Sequence, residues 1–421
     1  MSTYKIQIRR QLTSKIEYLK IFIVAVILLF WSFKSFSQEA FTMNQGTIKE
    51  KIYDQSLPYE QLSGKMFVYI TINGESYKFL FDTGAPLIVS NKIYTKLQLK
   101  KIQGVNVNDA NGQKEESVIT LLPQLNIGNI TFLNSSAIVI RDDNDLFKCW
   151  GIEGIIGSNI LRNSIVQIDQ KSKTITIKNS IENSPLDKKS YLKMELSDVH
   201  STPYINLNFD KNNVKVLDRV LFDTGANGFY DMSLETYNSL KGDSNLIKTL
   251  AQTDGFTSLG LHGKGQEQKV FALKIPKLFI NDQVFSNVNT ITSSGSESLL
   301  GTKILKYGKI TLDYKQRRFF FEPYENIELK NIGKIREVGH IFHNNKFIIG
   351  VVYSKNLEKI VNVGDEILEI GNKNFANTSF CEALDDMTKD SDIPENNINY
   401  VLKDFKTGSI KHVKIKYLSS N

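Results

Sequence analysis

Cysteine and histidine are scarce in this chain, which has two Cys and five His among 421 residues. Cys149 and Cys381 fall in stretches that the sequence assigns to different domains, so a structural disulfide is not expected and the fold should rest on core burial. His340 and His343 are near neighbours, but no Cys or carboxylate at ligand spacing accompanies them. We therefore expect neither a metal nor another cofactor.

The motifs of several other functional classes are also missing. No Gly-x-Ser-x-Gly sequence is present, which argues against a serine hydrolase of that type. Gly151, Gly154 and Gly157 are spaced like a phosphate-binding loop, but the Lys-Ser/Thr that would complete it is absent. No stripe of basic and aromatic residues is present, so nucleic acid is not an expected partner.

The N-terminus carries most of the charge imbalance. Six of the 52 Lys and Arg residues and one of the 45 Asp and Glu residues lie within residues 1–37, which leaves a net charge of +2 for the rest. The basic residues precede an apolar run at 21–33, and small residues follow at 35–37. This pattern predicts a signal peptide over residues 1–37. The run of 13 residues is short of the roughly 20 that a spanning helix needs.

The signal pattern predicts an exported protein, periplasmic or secreted. The low cysteine content fits a bacterial periplasm at least as well as a eukaryotic secretory route. The alternative is an uncleaved N-terminal anchor, and only in that case would a membrane be a partner.

One hexapeptide, Leu-Phe-Asp-Thr-Gly-Ala, occurs twice, at residues 80–85 and 221–226. A single Asp-Thr-Gly would be weak evidence, but six identical residues that each head a similar block are much stronger. The first copy ends a hairpin predicted from the strand 67–72 and the turn Asn73-Gly74, because Asn-Gly suits the positive φ of a tight turn.

The blocks after the two copies follow the same order. Each has a short helical stretch, at 91–97 and 233–240, and later two apolar residues and a Gly. The spacing from Asp82 to Gly157 is 75 residues, and from Asp223 to Gly301 it is 78. A repeat of this size predicts two similar lobes that face each other.

Asp82 and Asp223 are the candidate catalytic residues, because two related loops can bring both carboxyls to an axis between the lobes. Like carboxylates in contact cannot both ionise cheaply, so the pair shares a proton. One member can then accept a proton from a water while the other donates to a carbonyl oxygen. The other reading is that both copies are ordinary strand-to-turn corners of a duplicated β-domain.

The neighbouring residues are candidate supports for these loops. Thr83 and Thr224 are expected to hydrogen-bond the backbone across the lobe junction. Gly84 and Gly225 are expected to allow close approach of the backbone and unusual φ values. The Phe before each Asp is expected to be buried under its loop.

These motifs resemble those of the aspartic proteases. The two-copy, single-chain layout is similar to that of pepsins, whereas the short blocks and the Asp-Thr-Gly-Ala sequence are more similar to those of retropepsins. The resemblance covers residues 60–325 and implies a bilobed β fold with Asp82 and Asp223 as the catalytic pair. It also implies that Ile155-Ile156-Gly157 and Leu299-Leu300-Gly301 pack under the active-site loops as supports.

Two features depart from the pepsin pattern. No clear Tyr-Gly flap is present, and the hairpin at Asn111-Gly112 and the turn at His262 both remain candidate flaps. Ala85 and Ala226 lack the hydroxyl that often follows the Gly in pepsins. Losing that donor should raise the carboxyl pKa, so we expect an activity optimum less acidic than that of pepsin.

The C-terminal part differs in character from the repeat. Residues 364–372 resemble the Gly-Asp-x-Ile-Leu-x-Ile-Asn-Gly core of PDZ domains, with the final pair inverted to Gly-Asn. The resemblance implies a small α+β domain that binds extended peptides by strand addition. The other reading is an appendage without a ligand.

Together these patterns predict a mainly β protein with a signal peptide at 1–37, lobes at 38–190 and 191–326, and a PDZ-like domain at 327–421. The predicted function is an exported aspartic endopeptidase that acts on a peptide or protein substrate. One alternative is a binding protein that captures peptides on the same scaffold without turnover. Another is a purely structural envelope protein.

Overall fold

The computed structural model describes residues 42–108, 114–182, 184–210, 216–257, 259–260, 263–293, 295–325, 328–389 and 396–418. The predicted signal peptide, Asn111-Gly112 and His262 lie outside the described residues. Among the described helices, none has both the length and the apolar character needed to cross a membrane. Strands account for 51% of the structure and helices for 12%, so the fold is mainly β, as predicted.

Short strands separated by tight turns build the part of the chain up to residue 178. Asn73 and Gly74 have φ values of 50° and 80°, which a two-residue hairpin turn requires. Ser90 caps the first helix, as expected, by accepting a hydrogen bond from the backbone N–H of Ile93. The elements in order are β1 (Thr47–Ile48), β2 (Asp54–Pro58), β3 (Glu60–Leu62), β4 (Lys65–Ile72), β5 (Glu75–Phe81), β6 (Ile88–Ser90), α1 (Asn91–Lys96), β7 (Lys101–Asn108), β8 (Lys114–Ile127), β9 (Ile130–Ile140), α2 (Asp145–Trp150), β10 (Gly154–Ile156), α3 (Ser158–Leu161), β11 (Ile165–Asp169) and β12 (Thr174–Lys178).

The next part of the chain uses the same kinds of element. A 3-10 turn at Pro185–Lys188 connects the two parts, and others lie at Thr302–Lys306 and Leu357–Lys359. The elements are β13 (Leu192–Leu196), β14 (Pro203–Asn208), β15 (Leu217–Phe222), β16 (Tyr230–Asp231), α4 (Leu234–Leu240), β17 (Lys248–Gly255), β18 (Leu259–Gly260), β19 (Gly263–Lys264), β20 (Gln268–Ile280), β21 (Gln283–Ile291), β22 (Ser298–Leu300), β23 (Gly308–Asp313), β24 (Arg318–Pro323) and β25 (Leu329–Lys330).

Two large sheets organise these strands. Nine described strands form the first, in the order β1-β9-β6-β10-β5-β4-β8-β7 with β3 beside β4. The second contains the path β16-β22-β15-β14-β13-β24-β23-β11-β12-β2, with β20, β17, β21 and β25 joined to it through β14. Because β11 pairs with β23, strands from both parts of the sequence share this sheet. One apolar core therefore extends across both, from Phe81 to Phe222 and Phe319.

The last part of the chain, which we call the C-terminal segment, covers the described residues from 338 to 418. Its six strands have the order β26-β27-β28-β30-β31, with β29 beside β28. Buried Ile349, Ile367 and Tyr400 lie in its own core. The elements are β26 (Val338–His343), β27 (Lys346–Val352), β28 (Glu366–Ile370), β29 (Lys373–Asn374), α5 (Phe380–Lys389), β30 (Asn397–Lys403) and β31 (Ile410–Lys416). The predicted strands and helix of this segment are therefore confirmed.

The expectation that the two cysteines stay unpaired is wrong. Cys149 on α2 and Cys381 on α5 form a disulfide with their Cα atoms 5.1 Å apart. Leu384 of α5 packs into an apolar cluster with Phe67 and Trp150. The sequence argument failed because it took separate domains to mean separate surfaces, whereas α5 packs directly against the body. Residues 43–421 form one compact unit.

Candidate active site

Each Asp of the repeated hexapeptide follows a strand that pairs in parallel with the strand of the later apolar-apolar-Gly sequence. Strand β5 pairs with β10, and β15 pairs with β22. The backbone N–H of Asp82 donates to the Ile156 carbonyl at 3.0 Å, and that of Asp223 donates to the Leu300 carbonyl at 3.0 Å. The same local pairing therefore starts both loops.

The residues that follow β10 and β22 hold the far sides of the loops. The N–H of Ser158 donates to the Ala85 carbonyl, and the N–H of Thr302 donates to the Ala226 carbonyl, both at 2.9 Å. Inside the loops, the Phe side chains before the two Asp residues are buried, as expected. Each loop thus rests on apolar core and is fixed by backbone hydrogen bonds.

Thr83 and Thr224 connect the two loops through four reciprocal hydrogen bonds. Thr83 N–H donates to Thr224 Oγ1 at 3.0 Å, and Thr224 N–H donates to Thr83 Oγ1 at 3.0 Å. The Thr83 hydroxyl donates to the Phe222 carbonyl at 2.7 Å, and the Thr224 hydroxyl donates to the Phe81 carbonyl at 3.0 Å. Both Thr residues are fully buried, so these bonds fix the separation of the loops without competition from water.

This connection brings the carboxyls of Asp82 and Asp223 together: besides burial, the charge of Asp223 raises the pKa of Asp82, and a Cβ atom added to Gly225 would collide with the carboxyl of Asp82. Each carboxyl also accepts the N–H of the glycine two residues later, at 2.8 Å for Gly84 and 2.7 Å for Gly225. Both Asp residues stay partly exposed. The pair is therefore rigidly placed and still accessible to a ligand.

The two glycines are needed for space and not for backbone conformation. A Cβ atom on Gly84 would lie 2.7 Å from Asp223 Oδ1, and one on Gly225 would collide with the carboxyl of Asp82. Neither glycine has a positive φ, so the expectation of unusual φ values was wrong. A larger residue would separate the carboxyls.

The electrostatics of the pair favour a shared proton. Burial, the charge of Asp223 and the hydrogen bond to Asp223 raise the pKa of Asp82 to about 8. The charge of Lys65 and the N–H of Gly84 oppose this rise. A carboxyl with this pKa holds its proton at neutral pH, as expected for one of two carboxyls in close contact.

Two basic side chains at the pair were not singled out from the sequence. Lys65, the first residue of β4, donates from Nζ to the Gly225 carbonyl. The His200 side chain faces the backbone of Gly84, which raises the pKa of His200 against the larger lowering effect of burial. Neither residue belongs to a recognisable motif. Each lies in or directly after a hairpin turn, and the sequence of a turn does not show which residues it contacts in the fold.

Two further polar groups complete the surroundings. The Ser158 hydroxyl donates to the Thr83 carbonyl at 2.7 Å and lies 2.9 Å from the Tyr314 hydroxyl. Burial and the charge of Asp223 raise the pKa of Asp231 to about 6, against the opposing charge of Lys303. Ser158 directly follows Ile155-Ile156-Gly157, and Thr302 directly follows Leu299-Leu300-Gly301. A hydroxyl residue at the same position of both copies is the sequence signal that could have identified Ser158.

An antiparallel pair of strands follows each Asp loop. Strand β7 pairs with β8 after the first Asp loop, and β17 pairs with β20 after the second. Their tips include residues outside the described part of the chain, so the flap assignment stays open. Within the described residues, no group of three or more His, Cys, Asp or Glu could hold a metal. His340 instead lies 3.1 Å from the Tyr400 hydroxyl.

The first of the two Asp loops lies in a stretch that matches a family model. Residues 68–163, less than a quarter of the chain, match the family model described as gag-polyprotein putative aspartyl protease. A retropepsin-like aspartic protease from Rickettsia conorii matches at 17% identity over 32% of this chain and 94% of that chain, with a TM-score of 0.23. No curated protein matches the sequence. The stretch that contains Asp82 is therefore similar to aspartyl proteases, and Asp223 lies beyond the matched residues.

Proposed function

We propose that this protein is an aspartic endopeptidase in which Asp82 and Asp223 activate one water. The observation that supports this most directly is the contact between the two carboxyls, fixed by the reciprocal bonds of Thr83 and Thr224. A pair of ordinary turn corners would need neither an Asp in both copies nor contact between them.

The reaction follows from one proton on the pair. The ionised carboxyl accepts a proton from the water as the water oxygen bonds to the peptide carbonyl carbon, and the protonated carboxyl donates to the carbonyl oxygen. The carboxyl that took the proton from the water then gives it to the nitrogen as the C–N bond breaks, and the other carboxyl takes a proton back from one hydroxyl, so that a carboxylic acid and an amine leave and the pair again carries one proton. Because the pKa of Asp82 is raised to about 8, we expect optimal activity at a pH less acidic than that of pepsin.

We propose that residues 38–190 and 191–326 are the two lobes of this enzyme. The parallel pairing of β5 with β10 and of β15 with β22 supports the internal repeat. We also propose that residues 327–421 are a PDZ-like domain. Strand β26 is at the end of its sheet, and Phe342 packs on Phe380 of α5 with ring centroids 5.3 Å apart. An extended peptide could add to such an edge.

Export is a proposal that rests on the N-terminal sequence and gains support from the disulfide. Disulfides persist in oxidising compartments and are rare in the cytosol. A protein in the periplasm or outside the cell would keep the Cys149–Cys381 bond. Fractionation of producing cells, followed by N-terminal sequencing, tests both export and cleavage after the apolar run.

The enzymatic test is digestion of a peptide library by the full chain. We expect cleavage by the wild type and its loss in Asp82→Asn and in Asp223→Asn. Asp54→Asn is the matched control, because Asp54 is exposed on β2, and it should retain activity. Cleavage that survives both substitutions at the pair would refute the catalytic assignment.

The second candidate is a peptide-binding protein without turnover. Its basis is the partial exposure of the Asp pair, which a bound peptide could contact whether or not its bond breaks. Saturable binding of peptides that are recovered intact would favour it. A structural envelope protein would show neither binding nor cleavage.

A further inference from the structure

One hairpin turn from each part of the repeat reaches the Asp loop of the other part. Strands β3 and β4 pair through Leu62 and Lys65, and strands β13 and β14 pair through Leu196 and Pro203. The turn between β3 and β4 contacts the second Asp loop, and the turn between β13 and β14 brings His200 to the first. Each turn thus places one basic side chain on the backbone of the opposite glycine.

The position of Lys65 is fixed from the second half of the chain. Asn227 Nδ2 donates to the Ser63 carbonyl at 3.0 Å, and the Thr302 hydroxyl donates to the Gly64 carbonyl at 3.3 Å. Lys65 is partly buried, and its Nζ donates to the Gly225 carbonyl within the reach of both carboxyl charges. The ammonium is therefore held at the pair by the fold itself.

His200 differs from Lys65 in charge. Burial lowers the pKa of His200, against the opposing effect of its hydrogen bond to the Gly84 backbone. The imidazole is therefore neutral at neutral pH, since its pKa lies below the usual value of about 6.5. Burial also lowers the pKa of Lys65, but the charges of Asp223 and Asp82 oppose that effect, so the Asp pair itself favours the cationic form of Lys65.

We propose that Lys65 is a positioning residue of the active site, whose ammonium holds the Gly225 carbonyl and supplies the counter-charge of the Asp pair. The proposal rests on the function proposed above. The hydrogen bond fixes the loop that carries Asp223, and the positive charge stabilises the ionised pair. In this way Lys65 sets the pH range in which the pair carries one proton.

Several other charged or titratable groups face the pair and remain unchanged when Lys65 is replaced. Besides burial, the charge of Asp82 raises the pKa of Tyr314, and the charge of Asp223 raises the pKa of Asp231 against the opposing charge of Lys303, so both groups lie within electrostatic reach of the pair. His200 faces the Gly84 backbone. A shift that follows the charge at position 65 therefore reports on Lys65 and not on these neighbours.

The test is a titration of Asp82 in the full chain by NMR of 13C-labelled Asp carboxyls, with the signal assigned through Asp82→Asn. An opposite charge at contact distance lowers a carboxyl pKa by roughly 1–3 units. Lys65→Met should therefore raise the Asp82 midpoint by about 1 unit or more, and Lys65→Arg should keep it near the wild-type value. Lys96→Met removes a surface lysine paired with Glu75 and should leave the midpoint unchanged.

A second readout is the pH dependence of peptide cleavage, in which both limbs should move to higher pH in Lys65→Met and stay in place in Lys65→Arg. If the Met variant does not fold, Lys65→Gln takes its place in both measurements. An Asp82 midpoint that is the same with and without the cation overturns the proposal, even if cleavage is normal. A shifted midpoint in a protein that cleaves no peptide supports the role of Lys65 and refutes the endopeptidase function instead.

Discussion

Replacing Thr224 with Val removes half of the hydrogen bonds that connect the two Asp loops. Val has nearly the same shape as Thr but no hydroxyl. The Thr83 N–H then loses its acceptor, and the Phe81 carbonyl loses its donor, in a region that is fully buried. Each buried backbone group left without a partner costs about 1–3 kcal/mol, so the free energy of unfolding should fall by about 2–6 kcal/mol.

The second Thr gives an independent estimate of the same effect. Thr83→Val removes the other two bonds, to Phe222 and from Thr224, and should cost a similar amount. The double variant should then lose about 4–12 kcal/mol, which is comparable with the whole stability of a typical protein at about 5–15 kcal/mol. We expect the double variant to be largely unfolded at 37 °C.

Urea unfolding followed by circular dichroism measures these changes through the transition midpoint, provided that the slope of free energy against urea stays constant. Thr224→Ser is the matched control, because it keeps the hydroxyl and loses one methyl group, at a cost of about 1 kcal/mol. Equal midpoints for the Val and Ser variants would refute the reasoning, since the loss would then come from packing and not from the hydrogen bonds.

Three further predictions concern single substitutions, one in the site and two elsewhere in the structure. Gly84→Ala, whose Cβ would lie 2.7 Å from Asp223 Oδ1, should lower kcat/KM by about 100-fold, whereas Gly242→Ala, which meets nothing within 4 Å, should leave kcat/KM unchanged. Cys149→Ser removes a crosslink between residues 232 positions apart and should cost about 2–5 kcal/mol; an unchanged melting temperature would contradict this. The pKa of Asp231 is raised to about 6, so its ionisation opposes folding: stability is fully present below about pH 4 and is lost as the pH rises through about 6. Asp231→Asn should therefore raise the melting temperature relative to wild type at pH 7 but not at pH 4, and an equal gain at both values would exclude ionisation as the cause.

The features that depend on local chemistry could be predicted from the sequence. The hairpin at Asn73-Gly74 and the helical stretches at 91–97 and 233–240 were recognised because the residue types themselves favour those conformations. Both Asp loops were identified because an identical hexapeptide in two similar blocks is improbable without a shared role. That the two Asp loops lie close together was predicted from the repeat of the whole block, and no single residue predicts it.

The features that depend on packing between distant parts of the chain could not be predicted. Lys65 is one of many lysines, and only the turn at Ser63, held by Asn227, brings it to the pair. The cysteines are 232 residues apart, and no local pattern shows that α5 packs on α2. The matched family stretch likewise ends at residue 163, so the partner of Asp82 comes from the internal repeat and not from the match.

The bond between Cys149 and Cys381 closes a covalent ring that contains Asp223 but not Asp82. A single break of the backbone inside that ring would leave every part of the molecule attached to the rest. A nicked form would therefore migrate as one species on a denaturing gel and separate into two bands only after a thiol reductant is added. Self-cleavage of such an enzyme should accordingly be followed with and without reductant, because an unreduced sample would count cut molecules as intact.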